Sequence, residues 1–192
     1  MTAQDEALRD IVGALHRRGR RFALVGGLAV SVRAEVRFTC DVDIALVAAT
    51  DDDVERLIRE LRGDGYTPIA IVEHDTAKRI ATVRLASPSG VVVDLLVASS
   101  GIEAEIVDRS TNVEFGSAGA VPVAGPDALL AMKMLSMTEA RLQDRIDAKS
   151  LLSTGAVDVA RVADLLRLIR ARGYAREQDL EAKLSSLIAG ES

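Results

Sequence analysis

Asp41 and Asp43 form an Asp-x-Asp pair at the start of a short apolar segment that runs to residue 47. The segment predicts a strand, and alternate residues of a strand point to the same face, so the two carboxylates emerge side by side. Two like charges about 5 Å apart repel by about 3 kcal/mol at an effective dielectric near 20. A divalent cation between them removes this cost, and carboxylate oxygens favour Mg²⁺ or Mn²⁺. The pair therefore predicts a metal-dependent active centre.

Asp94 is a third acid with an unusual setting, since it interrupts the apolar stretch of residues 91–97. An unpaired carboxylate buried there would be strongly destabilising, so the position calls for a cation or a polar partner. Three carboxylates together could hold two metal ions, which activate an attacking oxygen and stabilise a leaving phosphate in an in-line displacement. Asp94 is therefore the predicted third metal ligand.

Gly26 and Gly27 follow the apolar segment of residues 22–25 and precede a segment of helical character. Without a Cβ, the two residues let the backbone approach a triphosphate closely, and the helix start offers unpaired N–H groups. The spacing matches neither a Walker A motif nor G-x-G-x-x-G, which excludes a P-loop and a Rossmann dinucleotide site. The glycines are the predicted phosphate-binding turn of a nucleotide site.

Cysteine and histidine are too scarce for other metal chemistry. Cys40 is the single cysteine, which excludes an intrachain disulfide, and the chain has only 2 histidines. The net charge of −5 argues against broad nonspecific nucleic-acid binding. Residues 16–21 nevertheless form a dense basic cluster, which is either a solvated helix end or a phosphate-contacting patch.

Targeting signals are not recognisable in the sequence. No apolar run is long enough to span a bilayer, and the acidic N-terminal segment lacks the layout of a secretory signal. We therefore expect a cytoplasmic protein without a membrane partner.

Hydrophobic periodicity divides the chain near residue 125. Before it, the pattern predicts helices over 5–18 and 51–61, a helix from about 28, strands over 22–25, 42–47, 67–72, 79–86 and 91–97, and a short strand over 121–124. The turn signal at 87–90 predicts an antiparallel hairpin between the strands on either side. After residue 125, helices are predicted over 128–137, 141–152, 159–171 and 178–188. The expected organisation is an α/β domain over 1–124 and a helical domain over 125–192.

Two sequence runs resemble a known family. Residues 25–31, followed by the R-x-T-x-D-x-D pattern from Arg37 to Asp43, look like the core signature of the polymerase-β-type nucleotidyltransferase superfamily. More narrowly, they resemble the AbiEii/MenT branch of toxins from bacterial toxin–antitoxin systems, and the short chain is similar to compact mycobacterial MenT toxins. Residues 126–133 and 141–152 are similar to two helices of that branch. The resemblance covers roughly residues 20–152 and implies a mixed sheet with helices, followed by a helical bundle region that contributes to the nucleotide site.

The resemblance also implies roles for individual residues. Arg37 would either stabilise developing charge or pair with a neighbouring acid, and Asp144 and Asp147 would organise Lys133 or the nucleotide. The implied catalytic residues are Asp41, Asp43, Asp94, Lys133, Asp144 and Asp147; the implied metal ligands are Asp41, Asp43 and Asp94; the implied nucleotide-binding residues are Gly26, Gly27, Ser31, Arg37 and Lys133.

Thr39 lies two residues before Asp41, which on a continuous strand would turn its hydroxyl toward the metal ligands. It is either an ordinary β-branched strand or cap residue, or a regulatory site. Phosphate on Thr39 would bring about two negative charges into the metal site and repel a triphosphate. Some MenT-like toxins are silenced in a similar way by a kinase-like antitoxin.

The expected function is nucleotidyl transfer from an NTP, with Mg²⁺ or Mn²⁺. The resemblance implies a toxin that adds nucleotides, pyrimidines in particular, to the 3′ acceptor end of tRNA and blocks translation, with a cognate antitoxin as its protein partner. Two alternatives stay open: transfer to a hydroxyl of a small molecule or protein, and an inactive fold retained as a binding module or antitoxin.

Overall fold

A seven-stranded mixed sheet forms the centre of the computed structural model, which describes residues 2–75, 77–138 and 140–190. The strand order is β3-β4-β5-β2-β1-β7-β6. Strands β1 and β7 are parallel, as are β2 and β5, and the other four neighbouring pairs are antiparallel. The strands are β1 (Phe22–Val25), β2 (Val42–Leu46), β3 (Thr67–His74), β4 (Arg79–Ala86), β5 (Val92–Leu96), β6 (Thr111–Glu114) and β7 (Ala120–Val123).

Eight α-helices occur in the described part of the chain, together with a 3₁₀ turn at Gly116–Ala118. None of the helices found there has the length and apolar character needed to cross a membrane. Helix α5 contacts α2, α6, α7 and α8, so it joins the C-terminal helices to the sheet side. The helices are α1 (Ala3–Arg17), α2 (Gly26–Arg33), α3 (Asp51–Gly63), α4 (Glu103–Asp108), α5 (Pro126–Ser136), α6 (Leu142–Ser153), α7 (Val159–Ala171) and α8 (Leu180–Ala189).

Local sequence explains where the main helices begin. Thr2 and Asp5 form a reciprocal capping box at the start of α1, and the Thr50 hydroxyl accepts the Asp53 N–H at the start of α3. Both helices bury one apolar stripe in the hydrophobic core shared with the sheet. Helix α2 differs, because its first residue, Gly26, has a positive φ of 64° and no side chain of its own segment caps it.

The register of the sheet places polar residues from distant segments in one row. Asp43 on β2 pairs with Asp94 on β5, and Asp94 pairs with Arg84 on β4. Val25 on β1 and Ala70 on β3 extend the row to either side. Residues opposite one another in neighbouring strands point to the same face, and the strands lie about 4.8 Å apart. The row therefore runs across one face of the sheet.

The predicted fold is confirmed: the chain is a mixed α/β structure in which four helices follow the last strand. The predicted hairpin is present as antiparallel β4 and β5. Two elements were missed, β6 and α4, because each is short and neither shows clear periodicity. Helix α2 begins at Gly26, two residues earlier than expected, since glycine alone fits the turn there.

Tyr66 supplies a stability prediction, because its hydroxyl is buried without a hydrogen-bond partner in the described structure. Burial and the nearby Asp10 and Asp64 charges raise the pKa of Tyr66, so the group stays neutral. We expect Tyr66→Phe to raise the free energy of unfolding by about 1 kcal/mol, since it removes an unsatisfied polar atom. Urea unfolding measures this. Leu61→Ala, at a fully buried position, should instead lose about 2 to 5 kcal/mol, and a loss of stability in Tyr66→Phe would contradict the prediction.

Candidate active site

The row of polar residues forms one wall of a cavity of about 520 Å³. The start of α2, the segment before β2 and one side of α5 form the other walls. Of the residues predicted from the sequence, those that line this cavity are Gly26, Gly27, Arg37, Thr39, Asp41, Asp43, Asp94, Lys133 and Asp144. The structure thus brings together segments that lie up to about a hundred residues apart in the chain.

Gly26 and Asp43 are in very close approach. A Cβ atom at position 26 would lie 1.9 Å from Oδ2 of Asp43, a distance that no side chain can occupy. The Gly27 backbone N–H lies close enough to the Asp43 carboxylate to favour its charged form. Glycine is therefore required at position 26 by both backbone conformation and space.

The Asp43 carboxylate is buried near two other carboxylates, which disfavours its charged form. Burial, followed by the negative charges of Asp94 and Asp41, raises the pKa of Asp43 to about 6. The Lys133 charge and the Gly27 N–H favour the charged carboxylate, so they reduce this rise in the pKa of Asp43 without cancelling it. Such a concentration of carboxylates suits a divalent cation, which would remove the repulsion that the pKa reports.

Asp94 does not remain unpaired. Nε of Arg84 donates to Oδ1 of Asp94 at 2.9 Å and Nη2 donates to Oδ2 at 2.6 Å, which is a bidentate pair across β4 and β5. The hydrogen bonds that Arg84 donates to Asp94, together with the negative charge of Asp94, raise the pKa of Arg84 further above its ordinary value. Asp94 is buried, whereas the Arg84 side chain is about half exposed to the cavity and solvent. This ion pair compensates the charge of Asp94, which would be strongly destabilising if it were buried without a partner.

The carboxylates fit a metal chemically, although they do not form a finished metal site. Within the described ranges, no group of three or more histidine, cysteine, aspartate or glutamate side chains is arranged to hold a metal ion. One physical reason is that both oxygens of Asp94 are engaged by Arg84. Asp41 and Asp43 both line the cavity, and oxygen ligands of this kind suit Mg²⁺ or Mn²⁺.

A second charged cluster connects α5 to α6. Nζ of Lys133 lies 2.6 Å from Oδ1 of Asp144 and 2.8 Å from Oδ2 of Asp147. Nη2 of Arg37 donates to the same Oδ2 of Asp147 at 2.8 Å, and Gln143 donates to Oδ1 at 2.8 Å. Asp147 therefore pairs with two positively charged side chains, Lys133 on α5 and Arg37 in the segment before β2.

Asp144 and Asp147 differ in their relation to the cavity. Asp144 lines it, whereas Asp147 is buried behind Lys133 and Arg37. Burial pushes the pKa of Asp147 upward, but hydrogen bonds from Arg37, Lys133 and Gln143 outweigh it and hold the pKa below its ordinary value. Asp147 is thus a charged anchor, and any effect on a ligand passes through the two cations that it holds.

The segment before β2 departs from the expected geometry. Strand β2 begins at Val42, close to the predicted start, so Thr39 lies before the strand and strand alternation does not set the direction of its side chain. The Thr39 hydroxyl reaches the cavity because it packs against Gly27, where a Cβ would lie 2.7 Å from it. Ser31 does not line the cavity: its hydroxyl donates to the Gly27 carbonyl and accepts the Arg37 N–H, so it shapes the segment.

Several polar residues of the cavity were not predicted from the sequence, among them Arg84, Arg176, Ser99 and Ser100. Arg84 reaches the site through sheet register, and Arg176 donates to the Ser99 carbonyl at 3.1 Å from the loop between α7 and α8. Arg176 has a positive φ of 52°, a conformation that residues with side chains rarely adopt. Ser99 and Ser100 complete this side, held by the buried Glu103 carboxylate. Of these residues, only Arg84 corresponds to a feature of the sequence, because an aspartate in the apolar stretch of residues 91–97 needs a polar or cationic partner.

The basic cluster of residues 16–21 is largely neutralised by acids. Arg18 pairs with Glu60 at 3.0 Å, Arg20 pairs with Asp53 at 2.7 Å, and Arg21 pairs with Asp108. These contacts connect the end of α1 and the start of β1 to α3 and α4. The cluster therefore serves the packing of the fold and offers little uncompensated charge for a phosphate.

Comparisons with known proteins agree with this arrangement. A family model described as "Nucleotidyl transferase AbiEii toxin, Type IV TA system" matches residues 10–189. Among solved structures, an antigenic nucleotidyltransferase-like protein from Paracoccidioides brasiliensis is 19% identical, over 94% of this chain and 91% of that one, with a TM-score of 0.54. ANT(2″)-Ia in complex with adenylyl-2″-tobramycin is 14% identical, over 89% and 99%, with a TM-score of 0.58. These structures share the fold. No curated protein sequence matches the chain.

The raised pKa of Asp43 predicts a pH-dependent stability. Between 3.8 and about 6, the folded chain binds more protons at Asp43 than the unfolded chain does. Stability therefore falls as the pH rises through this window, by roughly 2 to 3 kcal/mol in total. In chelator-treated protein, Asp43→Asn should raise the free energy of unfolding by about 1 to 3 kcal/mol at pH 7.5 and by little at pH 4.

Urea unfolding at both pH values tests the Asp43 prediction. Glu114→Gln serves as the matched control, since it removes one exposed carboxylate from β6 and should change stability little at either pH. An Asp43→Asn variant that is less stable than the parent chain at pH 7.5 would show that the charged form is not disfavoured.

Proposed function

The chain belongs to the AbiEii family of nucleotidyltransferase toxins, and we propose that it transfers a nucleotide from an NTP to the 3′ acceptor end of tRNA, which blocks translation. Membership of this family supports nucleotidyl transfer as the chemistry. The acceptor, the preference for a pyrimidine nucleotide and the dependence on Mg²⁺ or Mn²⁺ are parts of the proposal.

One observation carries the proposal: the Asp41 and Asp43 carboxylates face the glycine start of α2 and Lys133 within one cavity. A triphosphate needs backbone N–H groups, a cation and a bound metal along its length. The α2 start, Lys133 and the carboxylates supply these three requirements from three separate elements. A volume of about 520 Å³ is adequate for a nucleotide.

Asp41 and Asp43 would hold the metal, with Asp94 joining them when it leaves Arg84. A divalent cation held there would supply Lewis-acid chemistry to the α-phosphate and the attacking hydroxyl. The Gly26–Gly27 turn would bind the triphosphate through backbone N–H groups. Lys133 would contact phosphate oxygens while Asp144 and Asp147 fix its position. Arg37, held by Asp147, would stabilise developing charge from the opposite side.

The reaction is a single displacement at phosphorus. The 3′ oxygen of the acceptor forms a bond to the α-phosphorus, and the bond from that phosphorus to the oxygen bridging the α- and β-phosphates breaks. Pyrophosphate leaves with the bonding electron pair, and the hydroxyl proton passes to water or to a carboxylate of the site. Residues 125–192 would act as a helical domain whose contribution to the site is Lys133 together with its two acids.

Label transfer from an α-³²P-labelled NTP to tRNA tests this function. We expect a labelled tRNA product in the presence of Mg²⁺ or Mn²⁺, with a pyrimidine NTP preferred, and no product after chelation. Asp41→Asn and Lys133→Ala should each lower the rate by at least about a hundredfold, as removal of a major electrostatic contributor does.

Glu114→Gln is again the control and should transfer label normally. If none of the four NTPs labels tRNA while a small hydroxyl compound or a protein is labelled, the tRNA acceptor is wrong and only the chemistry stands. If Asp41→Asn keeps full activity on every acceptor, the carboxylate site itself is wrongly assigned.

A regulatory role for Thr39 is a separate part of the proposal. Its hydroxyl packs against Gly27 at the start of α2, where the triphosphate would bind. A phosphate attached there would be stabilised by the helix N-terminus and would occupy the place of the substrate phosphates. A cognate antitoxin, expected for this family, could act by this route if it is kinase-like.

Intact-mass analysis after co-expression with the cognate antitoxin checks the Thr39 proposal. We expect the mass of one phosphoryl group on the wild-type chain and none on Thr39→Val, and Thr39→Glu should transfer label at least about tenfold more slowly. Unmodified Thr39 in a fully neutralised toxin would show that the antitoxin acts in another way.

A further inference from the structure

A second cavity, of about 280 Å³, is lined by three arginines and lies outside the active site. Arg33 is the last residue of α2, Arg109 follows α4, and Arg161 lies in the first turn of α7. The start of α5, from Gly125 to Ala128, completes the lining. We call this the arginine cavity.

Arg33 carries a charge that no carboxylate balances in the described structure. Its guanidinium donates to the Ala124 carbonyl at 3.0 Å, the Val123 carbonyl at 3.0 Å and the Thr111 hydroxyl at 2.6 Å, all of which are neutral. Burial lowers the pKa of Arg33, which is the expected sign for a cation taken out of water without an anion. The cavity therefore has a fixed, oriented positive charge in its wall.

Arg109 and Arg161 add two more cations. In the described residues, neither side chain forms a hydrogen bond or an ion pair. The lining has two acids against three arginines: Glu105 pairs with Arg172 through both carboxylate oxygens, at 2.7 and 3.0 Å, with Arg161 also lowering its pKa, and Asp127 accepts the Asp158 N–H at 2.8 Å. The lining thus has more positive charge than its acids neutralise, unlike the basic cluster of residues 16–21.

The arginine cavity lies close to the active site, because two helices span the interval between them. Helix α2 begins at Gly26 in the active site and ends seven residues later at Arg33, a rise of about 10 Å. Helix α5 begins at Pro126 in the arginine cavity and reaches Lys133, about 10 Å along its axis. The sheet gives a similar separation between the two cavities. Thr111 of β6 lines the arginine cavity and Asp43 of β2 lines the active site, and these strands lie three strand spacings, or about 14 Å, apart.

We propose that the arginine cavity binds a backbone phosphate of the RNA acceptor, a few nucleotides before its reactive 3′ end. The fork of N–H groups on a guanidinium matches phosphate oxygens in bidentate geometry. Stacked nucleotides advance about 3.4 Å each along a strand, so 10 to 14 Å corresponds to about three or four nucleotides. This inference rests on the proposed transfer to RNA and adds a positioning site to it.

Kinetics of label transfer to tRNA test the inference with the double variant Arg109→Ala/Arg161→Ala. Arg33 is left intact because its hydrogen bonds to the main chain support the fold. We expect the KM for tRNA to rise about tenfold or more, while kcat and the KM for the NTP stay within about twofold. The matched control, Arg56→Ala/Arg59→Ala, removes two exposed arginines of α3 and should change none of these constants.

Equilibrium binding of fluorescein-labelled tRNA gives a readout that is independent of chemistry. The slope of log Kobs against log[KCl] should decrease in magnitude by about 0.7 to 0.9 in the double variant, since one phosphate contact contributes about that amount. Arg109→Lys/Arg161→Lys keeps both charges and should restore most of the slope. Thermal unfolding of each variant shows whether the fold is intact.

The outcomes separate the two proposals. If wild-type chain labels tRNA and the double variant shows an unchanged KM for tRNA and an unchanged salt slope, the arginine cavity does not bind RNA, while the proposed function stands. A raised KM for the NTP alone would assign the cavity to the nucleotide and overturn the inference. If wild-type chain neither labels nor binds tRNA, both proposals fail.

Discussion

The contact between Asp43 and the backbone of Gly26 is the constraint on which the active site depends. It places the Asp43 carboxylate next to the start of α2, in space that a Cβ atom on residue 26 would otherwise occupy. The register of β2 and β5 places Asp43 directly opposite Asp94, so negative charge accumulates along one wall of the cavity. A buried row of like charges is tolerable only if cations surround it. The rest of the site supplies those cations.

Two ion-pair clusters meet this need from opposite sides. On the sheet side, Arg84 holds both oxygens of Asp94. On the helix side, Lys133 lies close enough to lower the pKa of Asp43, although its ammonium group pairs with Asp144 and Asp147. The clusters differ in exposure, since Arg84 is about half exposed and Lys133 is nearly buried. Arg84 could therefore turn toward solvent if another cation took its place at Asp94, whereas Lys133 is held between two buried or nearly buried acids. This difference would suit the proposed function, in which Asp94 would exchange Arg84 for a metal ion while Lys133 keeps its position.

The sequence predicts the parts of the site that depend on local patterns. Gly26–Gly27 after an apolar run and Asp41-x-Asp43 before one are visible because backbone conformation and strand alternation act within a few residues. Arg84 and Arg176 are not predictable in this way, since sheet register and a loop with a positive φ bring them to the cavity. The position of Thr39 in the cavity does not follow from strand alternation, because β2 starts three residues later. The basic cluster at residues 16–21 had two interpretations, and only the three-dimensional positions of Asp53, Glu60 and Asp108 distinguish them.

Helices α2 and α5 connect the active site and the arginine cavity directly. Helices α2 and α5 contact each other, and each has one end in the active site and the other in the arginine cavity. Helices of eight and eleven residues are stiff over this length, so the interval between Gly26 and Arg33 is nearly fixed. A strand held by a phosphate at one end of α2 would therefore present its 3′ hydroxyl at a defined distance from the nucleotide bound at the other end. Positioning of this kind lowers the entropic cost of bringing two substrates together, which suits a reaction that requires in-line attack.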